Sequence, residues 1–451
     1  MADRATVVVG GGLAGISAAL QLADAGRSVV LLEGRPRLGG AAFSFRRGEL
    51  TVDNGQHVFL RCCDYYRSFL QRLGVADQVR LQARLDIPVL RPDGRTARLS
   101  RLPGVPAPAH LTAALAGYRL LSPADRLRAV RGALALRRLK LTDPGLDEQA
   151  LGPFLRQHGQ NSRTIDQLWG IIAVATLNLS PDQASLALAA KVFQTGLLER
   201  APAADLGYAE VPLGHLHSTA AATALAAAGV EVLLSHRVSA VEPGGVVRAE
   251  GRSGPRSWQA DDVILALPWQ EALKTAPALR QTAAARASGL GAAPIVNIHV
   301  VYDRPVTDLP FAAAVDSPVQ WIFDRTRSSG LAGGGQYLAI TVSAADDIVD
   351  TPSRELTTRF VAELRRLLPG AGPANVADAF VTRERRATFR QAAGTATLRP
   401  DCHSGLEGIW LAGSWTATGW PDTMESAVRS GAAAAHGVLG TGGRTSQAWA
   451  A

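Results

Sequence analysis

The stretch ATVVVGGGLAGISAALQLADAGRSVVLLEG, residues 5–34, decides the fold. It has the order of an apolar strand, a glycine-rich turn, a helix and a second strand. Gly10, Gly12 and Gly15 form the pattern G-x-G-x-x-G directly after the apolar run Val7–Val9. The first glycine allows a tight turn, the second lets the backbone approach a pyrophosphate, and the third lets the helix pack on the strand. The pattern predicts a dinucleotide-binding unit of the Rossmann type.

The helix start and the second strand of this unit supply further contacts. Leu13 and Ala14 open the helix, where backbone N–H groups and the helix dipole attract phosphate charge. Glu33 ends the second strand, and a carboxylate at that position can accept hydrogen bonds from the hydroxyls of a ribose. Because strand, turn, helix, strand and acid follow one another in order, this interpretation is preferred over a glycine-rich turn without function.

The composition is that of a globular enzyme and not of a disordered chain. With 451 residues, 47% of them hydrophobic, the chain has the length of two or three domains. The net charge of +8 comes from an Arg-rich composition with three lysines, and we expect no nucleic-acid partner. Three cysteines favour a reducing cytoplasm. We expect no signal peptide before Thr6 and no apolar run long enough to span a bilayer.

A second pattern, GRPRLGGAAFSFRRGELTVDNGQH, covers residues 34–57. Arg35 comes two positions after the acid, Gly39 and Gly40 follow, and a hairpin is expected with its turn at Arg46–Glu49. This order resembles the second fingerprint of the glutathione-reductase-like flavoproteins of the amine oxidase and phytoene desaturase type. The resemblance implies that the cofactor is FAD and not NAD.

Three later segments resemble the rest of an FAD domain. Gly229–Val241 is expected to form a hairpin-like pair of strands whose residue Val238 lies against the adenine. Ala260–Trp269 is expected to be a buried strand that closes the domain. Ile409–Gly413 is a short apolar strand, and the resemblance places Gly413 against the ribityl chain. Each segment alone could be an ordinary core strand, and it is their order that favours one discontinuous FAD domain.

Two positions depart from this resemblance. Such flavoproteins usually read R-x-x-G-G-R in the second fingerprint, and this chain has Ala41 where the last Arg is expected. They usually have Asp after the glycine at position 413, and this chain has Ser414. A hydroxyl can still hydrogen-bond to the ribityl chain or a phosphate. The change Ser414→Asp is therefore expected to leave FAD binding equal or tighter.

The stretch WLAGSWTATGWPDTMESAVRSG, residues 410–431, leads into a predicted helix. Asp422 and Glu425 have the spacing of a capping box, which predicts Asp422 as the N-cap. Thr423 and Met424 at the helix start are expected to contact the pyrimidine edge of the flavin. The positive end of the helix dipole would stabilise the anionic reduced flavin there.

Two motifs narrow the resemblance. DNGQH at residues 53–57 and TGWPDTMESAVRSG at residues 418–431 are similar to motifs of the hydroxysqualene dehydroxylases, FAD enzymes of bacterial hopanoid biosynthesis. This resemblance covers essentially the whole chain. It implies conversion of hydroxysqualene, a long apolar isoprenoid, to squalene by loss of an allylic hydroxyl and delivery of a hydride from reduced FAD. A carotenoid or phytoene desaturase, an amine oxidase and a non-catalytic flavin-binding protein stay open as alternatives.

The implied reaction needs an acid for the departing hydroxyl and an electron donor that reduces FAD. His57 follows the turn Gly55–Gln56, which the resemblance places against the flavin, and it is the first candidate acid because imidazole can hold a proton near neutral pH. Asp422 is the second candidate. Structural roles, a histidine bonded to backbone and a helix cap, are the alternatives. His215 and His217 are expected to be loop residues without partners, and no metal site is indicated.

We expect two interleaved domains. The FAD-binding domain would take residues 1–90, 205–275 and 385–451. A substrate-binding domain, a mixed sheet with helices, would take residues 91–204 and 276–384. Within it, the apolar segments 165–200 and 290–345 would line a tunnel for the isoprenoid or form ordinary core.

The segment 91–140 carries eleven basic residues against Asp93 and Asp125. Near residues 111–140, Leu and Ala mix with Arg at near-helical spacing, which favours a peripheral helix on anionic lipid at the inner face of the membrane. A basic helix face in water is the alternative. Because a squalene-like molecule dissolves in the bilayer, we expect it to enter the protein from there.

Overall fold

The computed structural model describes residues 5–440, with elements numbered in chain order. The strands are β1 (Ala5–Val9), β2 (Ser28–Glu33), β3 (Ser44–Arg47), β4 (Leu50–Asp53), β5 (Val58–Leu60), β6 (Val79–Leu81), β7 (Asp86–Leu90), β8 (Thr96–Ser100), β9 (Leu206–Ala209), β10 (Glu231–Leu234), β11 (Arg237–Glu242), β12 (Val246–Gly251), β13 (Gly254–Gln259), β14 (Asp262–Leu265), β15 (Ala293–Tyr302), β16 (Phe311–Ala314), β17 (Trp321–Asp324), β18 (Gln336–Val342), β19 (Val376–Thr388) and β20 (Ile409–Leu411). The α-helices are α1 (Leu13–Asp24), α2 (Asp64–Arg72), α3 (Thr112–Gly117), α4 (Pro123–Arg138), α5 (Leu151–Gln157), α6 (Ser162–Thr164), α7 (Gly170–Leu177), α8 (Leu186–Phe193), α9 (Ala221–Ala227), α10 (Trp269–Thr275), α11 (Thr326–Ser329), α12 (Ser353–Leu367) and α13 (Met424–Val438).

A five-stranded parallel sheet has the order β10-β2-β1-β14-β20. Its strands come from three stretches of the chain that are far apart in sequence. Successive residues of β1 pack into different apolar clusters, Val7 and Val9 into one and Val8 into the other. Both faces of the sheet are therefore covered, which is why its strands are runs of Val, Ile and Leu. The strands predicted at Ala260–Trp269 and Ile409–Gly413 are confirmed.

Helix α1 lies closely on the first strand and on the C-terminal helix α13. A Cβ atom on Gly15 would overlap the carbonyl oxygen of Gly10, so the third glycine of the motif is needed for helix and turn to pack. The hydroxyl of Ser17 donates to Val428 O at 3.0 Å and joins α1 to α13. The two ends of the described chain therefore meet in one layer.

A second sheet has seven strands in the order β19-β15-β18-β17-β16-β7-β8. Within residues 5–440, β7 and β16 pair in parallel and the other neighbouring strands of this sheet pair antiparallel. Ile298 and Val300 on β15 pack against Leu356 and Phe360 of α12, which covers one face. The α/β class, with a Rossmann-type sheet and a mixed sheet with helices, is as predicted. Strand β7 pairs in this second sheet although its residues fall in the range 1–90 predicted for the FAD domain.

The hairpin predicted at Gly229–Val241 is wrong, whereas the hairpin β3–β4 is present. Strand β10 pairs in parallel with β2, and β11 pairs antiparallel with β12 in a separate three-stranded sheet. Ser235 has a φ of +57° and its N–H donates to Arg35 O at 3.0 Å. This turn carries the chain across the end of β2 and out of the parallel sheet.

The segment near residues 111–140 forms two helices, α3 and α4. Ser122 is the N-cap of α4, where its Oγ accepts the N–H of Asp125 at 3.2 Å, and Pro123 occupies the first turn. These residues start a new helix where the sequence pattern suggested one continuous helix. Within residues 5–440, no helix combines the length and the apolar character that crossing a bilayer requires.

Candidate FAD site

The glycine turn lies at the carboxyl end of β1. Gly10 has a φ of +108°, and its N–H donates to Leu32 O at 2.8 Å, which ties the turn to β2. Gly12 is the N-cap of α1, and no side chain within residues 5–440 caps this helix. The N–H groups of Leu13 and Ala14 therefore remain for an anion.

The two fingerprints meet at Gly12 and Gly40. A Cβ atom on Gly40 would lie 2.8 Å from Gly12 Cα, and a Cβ atom on Gly12 would have only Gly40 Cα, at 3.7 Å, within 4 Å. Gly39 has a φ of +94° and its N–H donates to Gly11 O at 2.9 Å. The floor between the two loops therefore carries no side chain, and a pyrophosphate can approach the backbone closely.

Glu33 and Val238, the predicted adenosine contacts, lie together at the end of β2. Glu33 Oε2 accepts the N–H of Gly11 and Oε1 that of Arg35, both at 2.7 Å. Each oxygen keeps a second lone pair for a ribose hydroxyl. The N–H of His236 donates to Glu33 O at 2.9 Å, which brings the start of β11 and Val238 alongside.

Two arginines surround the position where the resemblance led us to expect a cation. Arg35 Nη1 and Arg37 Nη1 both donate to Gly40 O, at 3.3 and 3.1 Å. Arg37 also stacks over Phe43, 3.6 Å from the ring centre, and burial followed by the charge of Arg35 lowers its pKa. Ala41 itself is exposed. Sequence reasoning missed Arg37, because only the fold shows that its side chain turns back to Gly40.

The DNGQH turn joins the fingerprints to the second sheet. Asn54 Nδ2 donates to Ala41 O and to Glu384 Oε1, both at 2.9 Å. Gly55 is buried, and Gln56 Nε2 is a buried donor with no hydrogen-bond partner within residues 5–440. Buried donors in proteins are almost always paired, so this orphaned amide fits a site whose ligand supplies an acceptor.

His57 is half-buried beside this turn. Its Nδ1–H donates to Gly55 O at 3.1 Å, because a carbonyl oxygen only accepts, and Nε2 of the neutral ring then carries no hydrogen. Burial is the largest influence on His57 and lowers its pKa. Burial thus works against the expectation that His57 holds a proton near neutral pH, because it favours the neutral ring. The role of His57 as the acid stays a prediction.

His215 and His217 were wrongly predicted to be loop residues. They lie in a π-helical turn, His215–Ala220, that leads into α9. His217 is fully buried, and its Nε2 accepts the hydroxyl of Tyr66 at 2.8 Å. Burial lowers the pKa of His217 to about 3, so it is a neutral structural residue.

Helix α13 begins one residue later than the capping box predicted. Thr423 is the N-cap, with its Oγ1 accepting the N–H of Ser426 at 3.3 Å. Asp422 does not cap the helix, since its Oδ2 accepts the N–H of Phe389 at 2.7 Å. The N–H of Phe389 therefore binds the carboxylate that was predicted to cap the helix. The hydroxyl of Thr423, the next residue, caps the helix instead.

Glu425, the other half of the predicted capping box, caps a different helix. Its two carboxylate oxygens accept the N–H groups of Tyr65 and Tyr66 at 3.3 and 2.8 Å, in the first turn of α2. Arg429 Nε donates to the same carboxylate at 2.6 Å. The acid thus binds α2 to α13 and is not a candidate for catalysis.

A buried arginine, Arg399, holds the turn after β20 in place. Gly413 N–H donates to Ser430 Oγ at 2.8 Å, and Arg399 Nη2 donates to Ser414 O at 3.0 Å. Burial lowers the pKa of Arg399 to about 10, which leaves it charged at neutral pH. Sequence reasoning missed Arg399, because it lies outside any motif and reaches the turn only in the folded protein.

The two apolar segments predicted to line a tunnel have different surroundings. Segment 290–345 holds β15 to β18, and one face of this sheet is core packed on α12. Segment 165–200 holds α7 and α8, and its Trp169 and Phe193 belong to the apolar cluster that reaches Trp415 beside Gly413. A tunnel along segment 165–200 therefore stays a prediction.

The arrangement as a whole fits FAD. Glu33 is the last residue of β2, the glycine turn follows β1, and Gly413 comes shortly after β20. All three therefore lie at the carboxyl edge of the parallel sheet, where such sheets bind ligands. The start of α13, with Met424, lies beside the end of β20. A ribose-binding carboxylate, a side-chain-free floor and a helix start are thus set along one edge, in the order adenosine, pyrophosphate and flavin.

Comparison with known proteins agrees with this geometry. Residues 13–439 match the family model described as flavin containing amine oxidoreductase. A hydroxysqualene dehydroxylase of Rhodopseudomonas palustris is 30% identical, covering 96% of this chain and 98% of its own, and one of Sinorhizobium fredii is 29% identical, covering 96% and 97%. An oxidoreductase structure from Methanosarcina mazei shares the fold, with a TM-score of 0.73 at 16% identity over 97% of this chain and 100% of its own. The chain is an FAD-dependent oxidoreductase that belongs to the flavin containing amine oxidoreductase family and, within it, to the hydroxysqualene dehydroxylases.

Proposed function

We propose that the protein converts hydroxysqualene to squalene. In this reaction a C–O bond breaks, the hydroxyl leaves as water with one proton, and reduced FAD supplies the hydride for the new C–H bond while being oxidised. Support comes from the similarity to hydroxysqualene dehydroxylases over 96% of the chain. The substrate assignment rests on this likeness together with the placement of the DNGQH turn.

The observation that carries the proposal is the position of Asn54. Its side chain contacts Ala41 of the second fingerprint, and its carbonyl accepts Nδ2 of Asn297 on β15 at 3.1 Å. Thr341 Oγ1 on β18 donates to Asn297 Oδ1 at 2.8 Å and continues the contact into the second sheet. A substrate bound on the second sheet would therefore reach the cofactor at residues 53–57, the motif shared with the hydroxysqualene dehydroxylases.

His57 is the residue that we assign to the departing hydroxyl. When protonated, its Nε2–H can donate to the hydroxyl oxygen, while Gly55 O holds Nδ1–H and fixes the ring. Trp415 and Phe193 are buried in the apolar cluster next to Gly413, and apolar side chains there would help to keep water from the reacting carbon.

The experiment is anaerobic incubation of the reduced holoprotein with hydroxysqualene, followed by mass spectrometry. We expect squalene and, in D2O, one deuterium at the carbon that lost oxygen, because the hydride of reduced FAD exchanges with solvent before transfer. Parallel incubations of the oxidised holoprotein with phytoene test a desaturase, and with primary amines an amine oxidase. Absence of squalene at full FAD occupancy, or turnover of phytoene or an amine, would overturn the assignment.

We further propose that the protein lies on the inner face of the membrane through the α4 surface, defined as Leu127, Val130, Leu134, Arg128, Arg131 and Arg138. Leu127 is 72% exposed, and Val130 and Leu134 are each 40% exposed. Isolated exposed apolar residues are common, but three on successive turns of one helix form a patch. Together with α5 they border a groove with a volume of about 880 Å³.

The charges of the α4 surface favour an anionic bilayer as its partner. Arg131 and Arg138 are exposed and have no ion-pair partner within residues 5–440, whereas Arg128 pairs with Asp125 at 2.7 Å. A helix that lies on a membrane typically inserts leucines into the headgroup region, while neighbouring arginines contact the lipid phosphates. Such docking would place the protein beside the apolar interior of the bilayer, in which a thirty-carbon isoprenoid dissolves.

A further inference from the structure

Two polar residues interrupt the largely apolar strand β15. Asn297 and His299 alternate there with Ile298 and Val300, and both are fully buried. Because successive side chains of a strand point to opposite faces, the two apolar residues pack on α12 and the two polar ones share the other face. Buried polar side chains are stable only where their hydrogen-bonding groups are paired. The partners of His299 therefore indicate what this polar face does.

His299 is paired at both ring nitrogens. Its Nδ1 lies 2.7 Å from the hydroxyl of Tyr337 on β18, and its Nε2 lies 3.0 Å from Thr382 Oγ1 on β19. The ring also stacks on Phe380, with the ring centres 4.4 Å apart and the planes 10° apart. Burial lowers the pKa of His299 to about 3, so the ring is neutral and has one N–H donor and one acceptor.

The hydrogen-bond partners determine which nitrogen carries the hydrogen. The hydroxyl of Thr382 donates to Asn54 O at 3.4 Å, so it accepts from His299, and Nε2 is the N–H. Nδ1 is then the acceptor for the hydroxyl of Tyr337. In the other tautomer, this buried hydroxyl would have no acceptor within residues 5–440. The hydrogen bonds therefore run in one direction, from Tyr337 through His299 and Thr382 to the carbonyl of Asn54.

The carbonyl at the end of this chain of hydrogen bonds belongs to the DNGQH turn. Asn297 Nδ2 donates to the same Asn54 O at 3.1 Å, from the strand position directly opposite Thr382. Both lone pairs of the carbonyl are thus used, which fixes the peptide group between Asn54 and Gly55. The next carbonyl, Gly55 O, accepts Nδ1–H of His57. The orientation of the fixed peptide group therefore sets the position of the His57 ring.

We infer that Tyr337, His299 and Thr382 are positioning residues that hold the turn of residues 55–57 for removal of the substrate hydroxyl. Hydrogen bonds in such a chain polarise and strengthen one another. A displacement of about 1 Å at a reacting group can slow a reaction about 100-fold, which makes a fixed turn valuable. The inference rests on the proposed function for the role of His57, and its first test needs no substrate.

The first measurement is the tautomer of the two histidines in 15N-labelled holoprotein, read by NMR from two-bond proton–nitrogen correlations near neutral pH. His57→Gln and His299→Gln assign the signals. We expect Nδ1–H in His57 and Nε2–H in His299. A hydrogen on Nδ1 of His299 would overturn the proposal, because Thr382 would then donate to the ring and not to the turn.

Cutting the chain of hydrogen bonds should release the ring of His57. In Tyr337→Phe and in Thr382→Val we expect the nitrogen signals of His57 to move toward the average of the two tautomers, since Gly55 O no longer holds one ring position. Thr382→Ser keeps the hydroxyl and should restore the wild-type signals. Unchanged signals of His57 in both Tyr337→Phe and Thr382→Val would overturn the proposal.

The second measurement is steady-state turnover of hydroxysqualene by the FAD-loaded variants. Tyr337→Phe and Thr382→Val should lower kcat roughly 10- to 100-fold with little change in KM, because a displaced turn affects the reacting group and not the binding of substrate. Thr382→Ser should recover most of the kcat. Tyr302→Phe is the matched control, since Tyr302 is a buried tyrosine of β15 whose hydroxyl has no hydrogen-bond partner within residues 5–440.

Three turnover results would contradict the positioning role. They are a wild-type kcat in both Tyr337→Phe and Thr382→Val, a loss in Thr382→Ser as large as in Thr382→Val, and a loss that only follows a fall in FAD content. Thermal unfolding by circular dichroism accompanies every variant, and should Thr382→Val not fold, Tyr337→Phe decides by the same criteria. If wild type makes no squalene, the proposed function fails, while the NMR signals still decide the positioning of the turn.

Discussion

Asp53 Oδ2 lies 2.7 Å from Arg325 Nη2, and the two side chains are only 4% and 10% exposed. Asp53 ends the hairpin β3–β4, and Arg325 follows β17 of the seven-stranded sheet. The carboxylate also accepts Ser44 Oγ at 2.6 Å and the N–H of Leu213 at 2.9 Å, so each of its oxygens is hydrogen-bonded. A buried, fully paired charge therefore joins the cofactor fingerprint to the second sheet.

Removing one partner of this pair should destabilise the fold strongly. Arg325→Met leaves a buried carboxylate without its cation, which typically costs about 3–5 kcal/mol. The double variant Arg325→Met with Asp53→Asn should recover part of that loss. Urea unfolding measures both. Arg47→Met is the matched control, because Arg47 pairs with Asp378 at 3.1 Å where both side chains are 45% exposed. Equal effects at Arg325 and Arg47 would contradict a special role of burial.

Gly12→Val should abolish FAD binding while the protein still folds. A Cβ atom on Gly12 meets only Gly40 Cα, at 3.7 Å, so the chain itself has room there and the added side chain obstructs the pyrophosphate. Flavin absorbance per protein and thermal unfolding are the measurements. Gly15→Ala is the contrasting variant, since its methyl group overlaps the carbonyl of Gly10 and should lower the melting temperature directly. Yellow Gly12→Val protein at wild-type flavin content would count against this site.

Ser414→Asp should weaken FAD binding, in contrast to the expectation from the resemblance alone. Burial raises the pKa of Asp422 and the neighbouring Ser414 side chain partly offsets this, so a carboxylate at position 414 would lie close to the carboxyl group of Asp422. Neutralising one of them, as in Ser414→Asp with Asp422→Asn, should restore binding to near the wild-type level. Dissociation constants of FAD measure both variants. Tight binding by the single variant would mean that the two carboxylates do not meet.

His57→Gln should slow turnover of hydroxysqualene by roughly 10²–10⁴-fold, the usual reach of acid catalysis. Since burial lowers the pKa of His57, the protonated and active form is populated only below that lowered pKa. In wild type the rate should therefore rise as the pH falls from 8 through the ordinary imidazole range near about 6.5 and continue to rise below it. The variant should lose this dependence while keeping its FAD. An unchanged profile in His57→Gln would remove His57 as the acid.

Charge reversal on the α4 surface should release the protein from anionic vesicles. Arg131→Glu with Arg138→Glu should reduce sedimentation with phosphatidylserine vesicles, and wild-type binding should fall between 0.1 and 1 M salt as the Debye length shrinks from about 10 to about 3 Å. Leu127→Ser should weaken binding with little change in this salt dependence. Arg354→Glu with Arg359→Glu, on exposed positions of α12, is the matched control. Equal loss in the control pair would indicate nonspecific charge attraction.

The local sequence pattern was sufficient to predict the structure wherever residues that are neighbours in sequence are also neighbours in space. The residues Gly10, Gly12 and Gly15 form one turn, and their roles follow from the backbone geometry of a strand that runs into a helix. The apolar runs at β1, β14 and β20 indicated a buried parallel sheet because such strands are covered on both faces. The hairpin β3–β4 was predictable for the same reason, since its two strands are joined by two residues.

The sequence by itself determined the α/β class, the nucleotide-binding turn and the resemblance that implies FAD. The tertiary structure alone decided which polar side chains cap, pair or bind. Asp422 had the spacing of an N-cap, but its carboxylate accepts the N–H of Phe389 instead. Glu425 likewise caps a helix whose residues lie 360 positions earlier. A side chain takes the partner that folding brings within hydrogen-bond reach, and for these residues that partner comes from a distant segment, which no local spacing encodes.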